Sequence, residues 1–288
     1  MDLHQFFSII MNLSTLAFAV TSMLVMGLSL TMAQISAPLR NTHLVLAALA
    51  ANFILAPALA YGIGRLLPLN DGLRFGLIVA STAAGAPFLP RLAQLAKGDV
   101  AFSVGLMGLL VITTIFYMPV VLPLLLHGVT VSPWQIARTL ILLMFLPLSI
   151  GLLINSRYGE AAGNWVPYLA KASNIALVSL LVSGLIANLR AILEIIGPSG
   201  ILAALLFLLS CLAAGTLLGG REYPIRSVLG LGTAQRNMAA ALVVATANFS
   251  QDPAVIVMIL VLGLVDLSVL LFIANRLGRR IYDPQPAG

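Results

Sequence analysis

The sequence predicts an all-α polytopic membrane protein of about nine transmembrane helices, arranged as inverted repeats with two discontinuous helices. Three observations carry this. The 288 residues are 60% hydrophobic and only 8% charged, with a mean hydropathy of +1.07. A soluble domain of that length needs far more charge to cover its surface. The apolar residues fall in continuous runs, such as 104–126, of the roughly 20 residues that cross a bilayer as a helix. A membrane β-barrel would show short alternating segments instead. Two of the runs are broken at matching places by Gly and Pro or by consecutive polar side chains.

The expected spans, in order, are Phe6–Leu30, Thr42–Leu66, Leu73–Leu95, Val100–Leu126, Trp134–Ile154, Trp165–Ile192, Gly200–Leu218, Ile225–Phe249 and Ala254–Ile273. The first is too long for a signal-peptide core and has no basic residue before it, so it reads as a retained span. Short polar linkers separate several spans, at Ser36–Asn41, Pro68–Gly72, Asn155–Asn164 and Gly219–Pro224. The whole chain reads as a single integral membrane domain, 1–288.

Net charge is +6, with an isoelectric point near 10.0. No basic stripe with interleaved aromatics accompanies it, so nucleic acid is not an expected partner. The bilayer is. Placing the amino terminus outside puts ten of the 15 Lys and Arg, including Arg91, Lys97, Arg157 and Arg279, on inner loops and flanks. Four fall outside and Arg236 falls within a span. That asymmetry predicts a cytoplasmic carboxyl terminus in the plasma or inner membrane. Nothing in the sequence sets an oligomeric state.

The two broken segments resemble each other. The first runs through Ser81 and Thr82 to Gly85, Pro87 and Pro90, then through Lys97-Gly98-Asp99 into a long apolar stretch. The second runs through Gly232 and Thr233 to Gln235-Arg236-Asn237, then through Gln251-Asp252-Pro253 into another. Gly and Pro do not sustain a continuous helix there. Unpaired backbone inside a membrane must line a cavity or be buried in protein. Interrupted segments at corresponding positions of two halves point to a transporter's central site. A helix kinked only for packing is the alternative for the first break. It fits the second poorly, because an intramembrane Arg is costly.

Taken with Met26-Gly27-Leu28-Ser29-Leu30-Thr31, with Leu49-Ala50-Ala51-Asn52-Phe53 and Pro57, with Leu95-Ala96-Lys97-Gly98-Asp99-Val100-Ala101 and with Gln235-Arg236-Asn237, the chain resembles the bile acid:sodium symporter family over nearly its whole length. The resemblance implies nine spans and two crossed helices. It also implies core-like spans in 42–126 and 200–273 and panel-like spans in 6–30 and 134–192. Against the family's first crossover, Pro-Gly-Gly-x-x-Ser-Asn, Leu89 and Pro90 stand where sodium-ligating Ser and Asn are implied. Against the second, Glu-x-Gly-x-Gln-Asn, Gly232 replaces the Glu and Arg236 a Gln. Asn52 sits at a third-helix Gln, and Ser103 and Asn237 keep polar residues of the pattern. Losing the carboxylate at Gly232 removes an attraction for a cation, and the guanidinium inserted at Arg236 repels one by several kcal/mol at roughly 4 Å. These replacements predict a carrier that is not sodium-coupled at the usual sites.

The expected function is secondary transport of an organic anion, a carboxylate or sterol-like molecule, by alternating access, with Arg236 as the fixed positive charge. No cofactor or metal is implied. An enzyme is not expected: paired acidic motifs, His-Glu-x-x-His and a nucleophile with a nearby base are all missing. A transport-inactive sensor or scaffold and an efflux carrier of similar fold are the competing readings. Asp266, inside the last span, is expected either to pair with the Arg236 guanidinium or to be a protonatable coupling group. In the first case an anionic substrate competes with it. Asp99 and Asp252 read as helix caps. His4, His43 and His127 lie at span ends or loops without ligand spacing. Trp134 and Trp165 read as interfacial anchors, Cys211 and the Met residues as packing.

Overall fold

The computed structural model describes residues 3–31, 33–34, 41–126, 132–192, 196–249 and 252–282. His127, Arg40 and most of the linker at 36–41 lie outside those residues, as do Ser250 and Gln251. The described secondary structure is helical. Helix α1 is Leu3–Ser29, α2 Thr42–Leu66, α3 Asp71–Thr82, α4 Leu89–Leu95, α5 Val100–Leu125, α6 Pro133–Arg157 and α7 Gly159–Ala187. They are followed by α8 Gly197–Leu218, α9 Tyr223–Ala234, α10 Met238–Asn248 and α11 Pro253–Tyr282.

Among the described residues, eight segments are long and apolar enough to cross a membrane. The segment expected over Leu73–Leu95 is not one of them, because it breaks between α3 and α4. The segment Tyr223–Asn248 is, although it breaks between α9 and α10. Both interruptions fall where Gly, Pro and the polar triplet predict them. Pro90 differs from its expected role. It lies in the first turn of α4, where a helix has no use for the missing N–H, so it starts a helix and does not stop one. In α5, Pro119 and Pro123 are accommodated inside an unbroken helix.

One linker is overturned. Residues 155–164 form no loop: α6 ends at Arg157 and α7 starts at Gly159, leaving Tyr158 between them. Polar composition misled here, because these side chains sit on exposed helix faces. Glu160 suits the positive end of α7, and the Asn155 amide donates to the Leu30 carbonyl at 2.8 Å. At the other end α7 stops at Ala187, short of Ile192, with Asn188 at its C-cap.

Side-chain caps define several starts. Asn41 accepts from the Leu44 N–H, Asn70 from Leu73 and Asp99 from Phe102. Asp252 accepts from the Ala254 N–H at 3.0 Å as α11 begins. The two broken units therefore share one plan: helix, break, short helix, Asp, long helix. They also pack reciprocally, α3 against α11 and α9 against α5. Helices α1, α6 and α7 pack chiefly on one another. The α9–α10 segment is the most enclosed of all: 94% of its apolar window is buried, against 28–44% for the other candidate spans.

Gly85 sets the first break. Its φ of +80° is left-handed, and a Cβ there would lie 2.5 Å from the Val111 backbone nitrogen. Gly85→Ala should combine backbone strain and overpacking, a loss of about 2–5 kcal/mol read as a fall in thermal unfolding temperature in detergent. Gly62→Ala, in open space on α2, should leave that temperature unchanged or slightly raised.

Candidate functional site

The two breaks meet. The Asn237 backbone N–H donates to the Ala83 carbonyl at 2.8 Å, and its side-chain amide donates to the Gly85 carbonyl at 3.1 Å. The Asn237 side-chain oxygen Oδ1 accepts from the Ala240 N–H and caps α10. Thr114 on α5 closes the first break from behind. Its hydroxyl accepts from the Ala84 N–H and donates to the Ala84 carbonyl, both at 3.1 Å. Backbone freed by unwinding is thus satisfied inside the protein, as a membrane interior requires.

Arg236 is 2% exposed. Its guanidinium donates through Nη1 to the Ser81 carbonyl and through Nη2 to Asn52 Oδ1, both at 3.1 Å. It also lies 5.8 Å from the centre of the Phe207 ring on α8, a distance suited to a cation–π contact. Nε has no hydrogen-bond partner among the described residues. Asn52 sits in a π-helical turn, Ala51–Leu55, of α2. Such turns re-aim side chains and cluster at functional sites. The Asn52 amide nitrogen bridges to its own helix at Ala48 and to the Thr233 hydroxyl.

The expected pairing of Asp266 with the guanidinium is not found. Asp266 Oδ2 accepts instead from the backbone N–H of Arg236 at 2.9 Å. The ion pair among the described residues is Arg74–Asp71, at the start of α3. The cause is local geometry. Gln235 is extended, so the Arg236 N–H has no helical acceptor and turns to α11. The side chain leaves the opposite way, toward α2 and α3. A substrate therefore does not compete with Asp266 for the guanidinium's hydrogen bonds.

Other expected residues divide clearly. Gly232 and Leu89 are brought together, since a Cβ on Gly232 would lie 3.0 Å from Leu89 Cδ2 and 3.4 Å from Leu106 Cδ2. Leu89 is 1% exposed. The positions implied as sodium ligands by the resemblance thus form an apolar contact, and a guanidinium lies in the polar one. This donor set does not fit a hard cation, which needs several oxygen ligands. The Ser81, Thr82 and Ser103 hydroxyls each donate to their own helix, at Ile78, Val79 and Val100. Only the Ser81 carbonyl reaches the cluster. Pro90 does not line the cavity described next.

That cavity, about 260 Å³, opens beside the breaks, between them and helices α1 and α7. Pro87, Phe88, Gln235, Asn237, Met238 and Asp266 line one side. Ser22 of α1 and Ser173 and Asn174 of α7 line the other. Gln235 is 8% exposed, and its side-chain oxygen has no partner among the described residues. Asp266 is the one carboxylate in the lining. Sequence reading missed Thr114, Phe207 and the α1 and α7 lining residues. Thr114 is one of two adjacent threonines in a long apolar run. Nothing along the chain marks which of them faces a break.

The model of the Sodium Bile acid symporter family matches residues 16–195 of the chain. A protein of Bacillus subtilis (strain 168) bearing the name "Uncharacterized sodium-dependent transporter YocS" is 27% identical over 241 residues, which cover 80% of this chain and 73% of that relative.

Asn52 and Arg236 should be energetically coupled. Asn52→Leu leaves a buried charged donor without its acceptor and should lower stability by about 2–3 kcal/mol. Arg236→Met removes the charge as well, so the double variant should lose less than the sum of the two single ones. A double-mutant cycle on thermal or denaturant unfolding in detergent checks this. Additivity within about 0.5 kcal/mol would contradict the contact.

Proposed function

Since the chain belongs to the sodium bile acid symporter family, a family of membrane transporters, we propose that it carries a small organic anion, with the fixed Arg236 guanidinium in place of a transported sodium ion. One observation carries the reading. The buried cation is held by neutral oxygens, from Asn52 and Ser81, at the point where the two breaks meet. It is therefore a permanent source of positive potential beside the cavity. A unit charge about 8 Å away, at an effective dielectric of about 20, contributes about 2 kcal/mol, or roughly thirtyfold in affinity for an anion.

Sodium belongs to the printed name of the Bacillus relative, and this chain departs from that expectation at its own residues. The contact of Leu89 with Gly232 offers a cation no side-chain oxygen, and the guanidinium repels one from the other position. Cavity size narrows the substrate. About 260 Å³ lies below the roughly 300–1,000 Å³ typical of sites for drug-sized ligands. The largely apolar lining with a few amides and hydroxyls suits a monocarboxylate with a compact apolar body better than a steroid. In this reading α1, α6 and α7 form the panel against which the crossed helices rock, and the basic carboxyl-terminal end is cytoplasmic.

Pyruvate, benzoate and cholate, tested by thermal shift on the purified protein, should separate by size, with the smaller acids stabilising and cholate failing to do so. Labelled benzoate should enter proteoliposomes at the same rate in sodium and in potassium at equal ionic strength. Arg236→Gln should weaken binding by roughly thirtyfold. Saturable stimulation by sodium would overturn the sodium-free reading. Unchanged anion binding in Arg236→Gln would remove the role of the fixed charge.

A further inference from the structure

We propose that Asp266 is the proton site of this carrier, and that one proton enters with each anion. The inference rests on the anion reading above and names its coupling ion.

Charge balance is the first argument. Arg236 contributes one positive and Asp266 one negative charge to the buried region. The guanidinium's hydrogen bonds go to neutral acceptors and the carboxylate accepts from a backbone N–H. The pair is therefore neutral in sum before a substrate arrives. A carboxylate entering the cavity would leave one uncompensated negative charge in the core of the membrane protein. Adding a proton restores neutrality.

Geometry is the second. Asp266 is the midpoint of the candidate span Pro253–Arg279. It is 6% exposed, yet it lines the cavity. Oδ2 holds the Arg236 N–H, and Oδ1 has no hydrogen bond among the described residues. That leaves Oδ1 to carry a proton. Two carboxylates side by side in such a site do not both ionise; they hold one proton between them. Protonated Asp266 then donates through Oδ1–H to the substrate carboxylate. When the substrate leaves, the proton is released to the side on which the cavity opens. The proton comes from bulk water and returns to it, and no covalent bond of the substrate changes.

The groups facing Asp266 are few. Arg236 comes from the α9–α10 break, and Cys211 from α8 is within electrostatic reach. Helices α1 and α7 bring no ionisable side chain to the cavity, and neither does α10. On α3 and α4 the charged groups are Asp71, Arg74 and Arg91, all outside the cavity lining. Asp266 is thus the group there with a protonation state free to follow substrate.

Benzoate binding measured by titration calorimetry, in two buffers of different ionisation enthalpy, counts the protons taken up. At a pH above the titration of Asp266 the parent should take up one proton per benzoate. Its affinity should fall about tenfold per pH unit above the titration of Asp266, because the proton must then be drawn from a scarcer supply. In Asp266→Asn the amide oxygen still accepts from the Arg236 N–H and the amide N–H donates as the acid did. That variant should bind benzoate without proton uptake and without pH dependence. It should exchange benzoate across vesicles but not accumulate it against a gradient under an imposed pH difference. If Asp266→Asn does not fold, the proton count on the parent decides alone. Benzoate binding without proton uptake at a pH above the titration of Asp266, or pH dependence retained in Asp266→Asn, overturns the proton site and leaves the carrier reading standing. If none of pyruvate, benzoate and cholate stabilises the parent, the carrier reading fails and the coupling fails with it.

Discussion

Two helices broken inside a membrane protein must have their freed backbone groups satisfied by protein, because hydrocarbon offers no hydrogen bonds. Here each break supplies what the other lacks. Asn237 donates twice to the first break, at Ala83 and Gly85. The Arg236 guanidinium takes the Ser81 carbonyl near the end of α3. Asp266 takes the Arg236 N–H, and Thr114 takes both groups of Ala84. The reciprocal packing of α3 on α11 and α9 on α5 brings these partners into range. The break therefore exists only as part of the assembled core, and the cavity beside it inherits its lining from the same few residues.

The guanidinium gives this arrangement its character. A mobile cation between the breaks would come and go with the transport cycle. A tethered one is present throughout, so the loading step that depends on it disappears. The guanidinium's acceptors are an amide oxygen and a main-chain carbonyl. In the proposed carrier, the contact of Leu89 with Gly232 puts hydrocarbon where a second cation would need oxygen. A fixed charge has its own cost. It supplies no gradient energy, so accumulation of an anion requires another ion.

The breaks were legible in the sequence because their causes are local. Gly85 and Pro87 interrupt a helix through their own backbones, and three consecutive polar side chains in an apolar run need a reason wherever they fold. Asp99 as a cap follows from the same short-range chemistry. The linker at 155–164 failed for the converse reason. Its polar residues serve exposed helix faces equally well, and composition does not distinguish those from a loop. The Arg236–Asp266 pairing failed because opposite charge is a long-range attraction, whereas direction is set by one extended residue, Gln235. The contribution of α1 and α7 to the cavity depends on how separate helices pack. No residue along either helix announces it.

In the proposed carrier, the separation of guanidinium and carboxylate is what lets the site respond to a substrate. A direct ion pair would lock both groups and leave neither free to respond to a substrate, since breaking a buried pair costs several kcal/mol. Held apart, Arg236 stays permanently charged on its neutral acceptors, and Asp266 keeps one oxygen toward the cavity. The two are linked through a single backbone N–H at the break. A change in the hydrogen bond to Asp266 therefore acts directly on the conformation of residues 235–237. Those residues also hold the first break through Asn237. In the proposed carrier, whatever enters the cavity and touches Asp266 thereby touches the junction of the two breaks. That is the connection an alternating-access carrier needs between occupancy and movement.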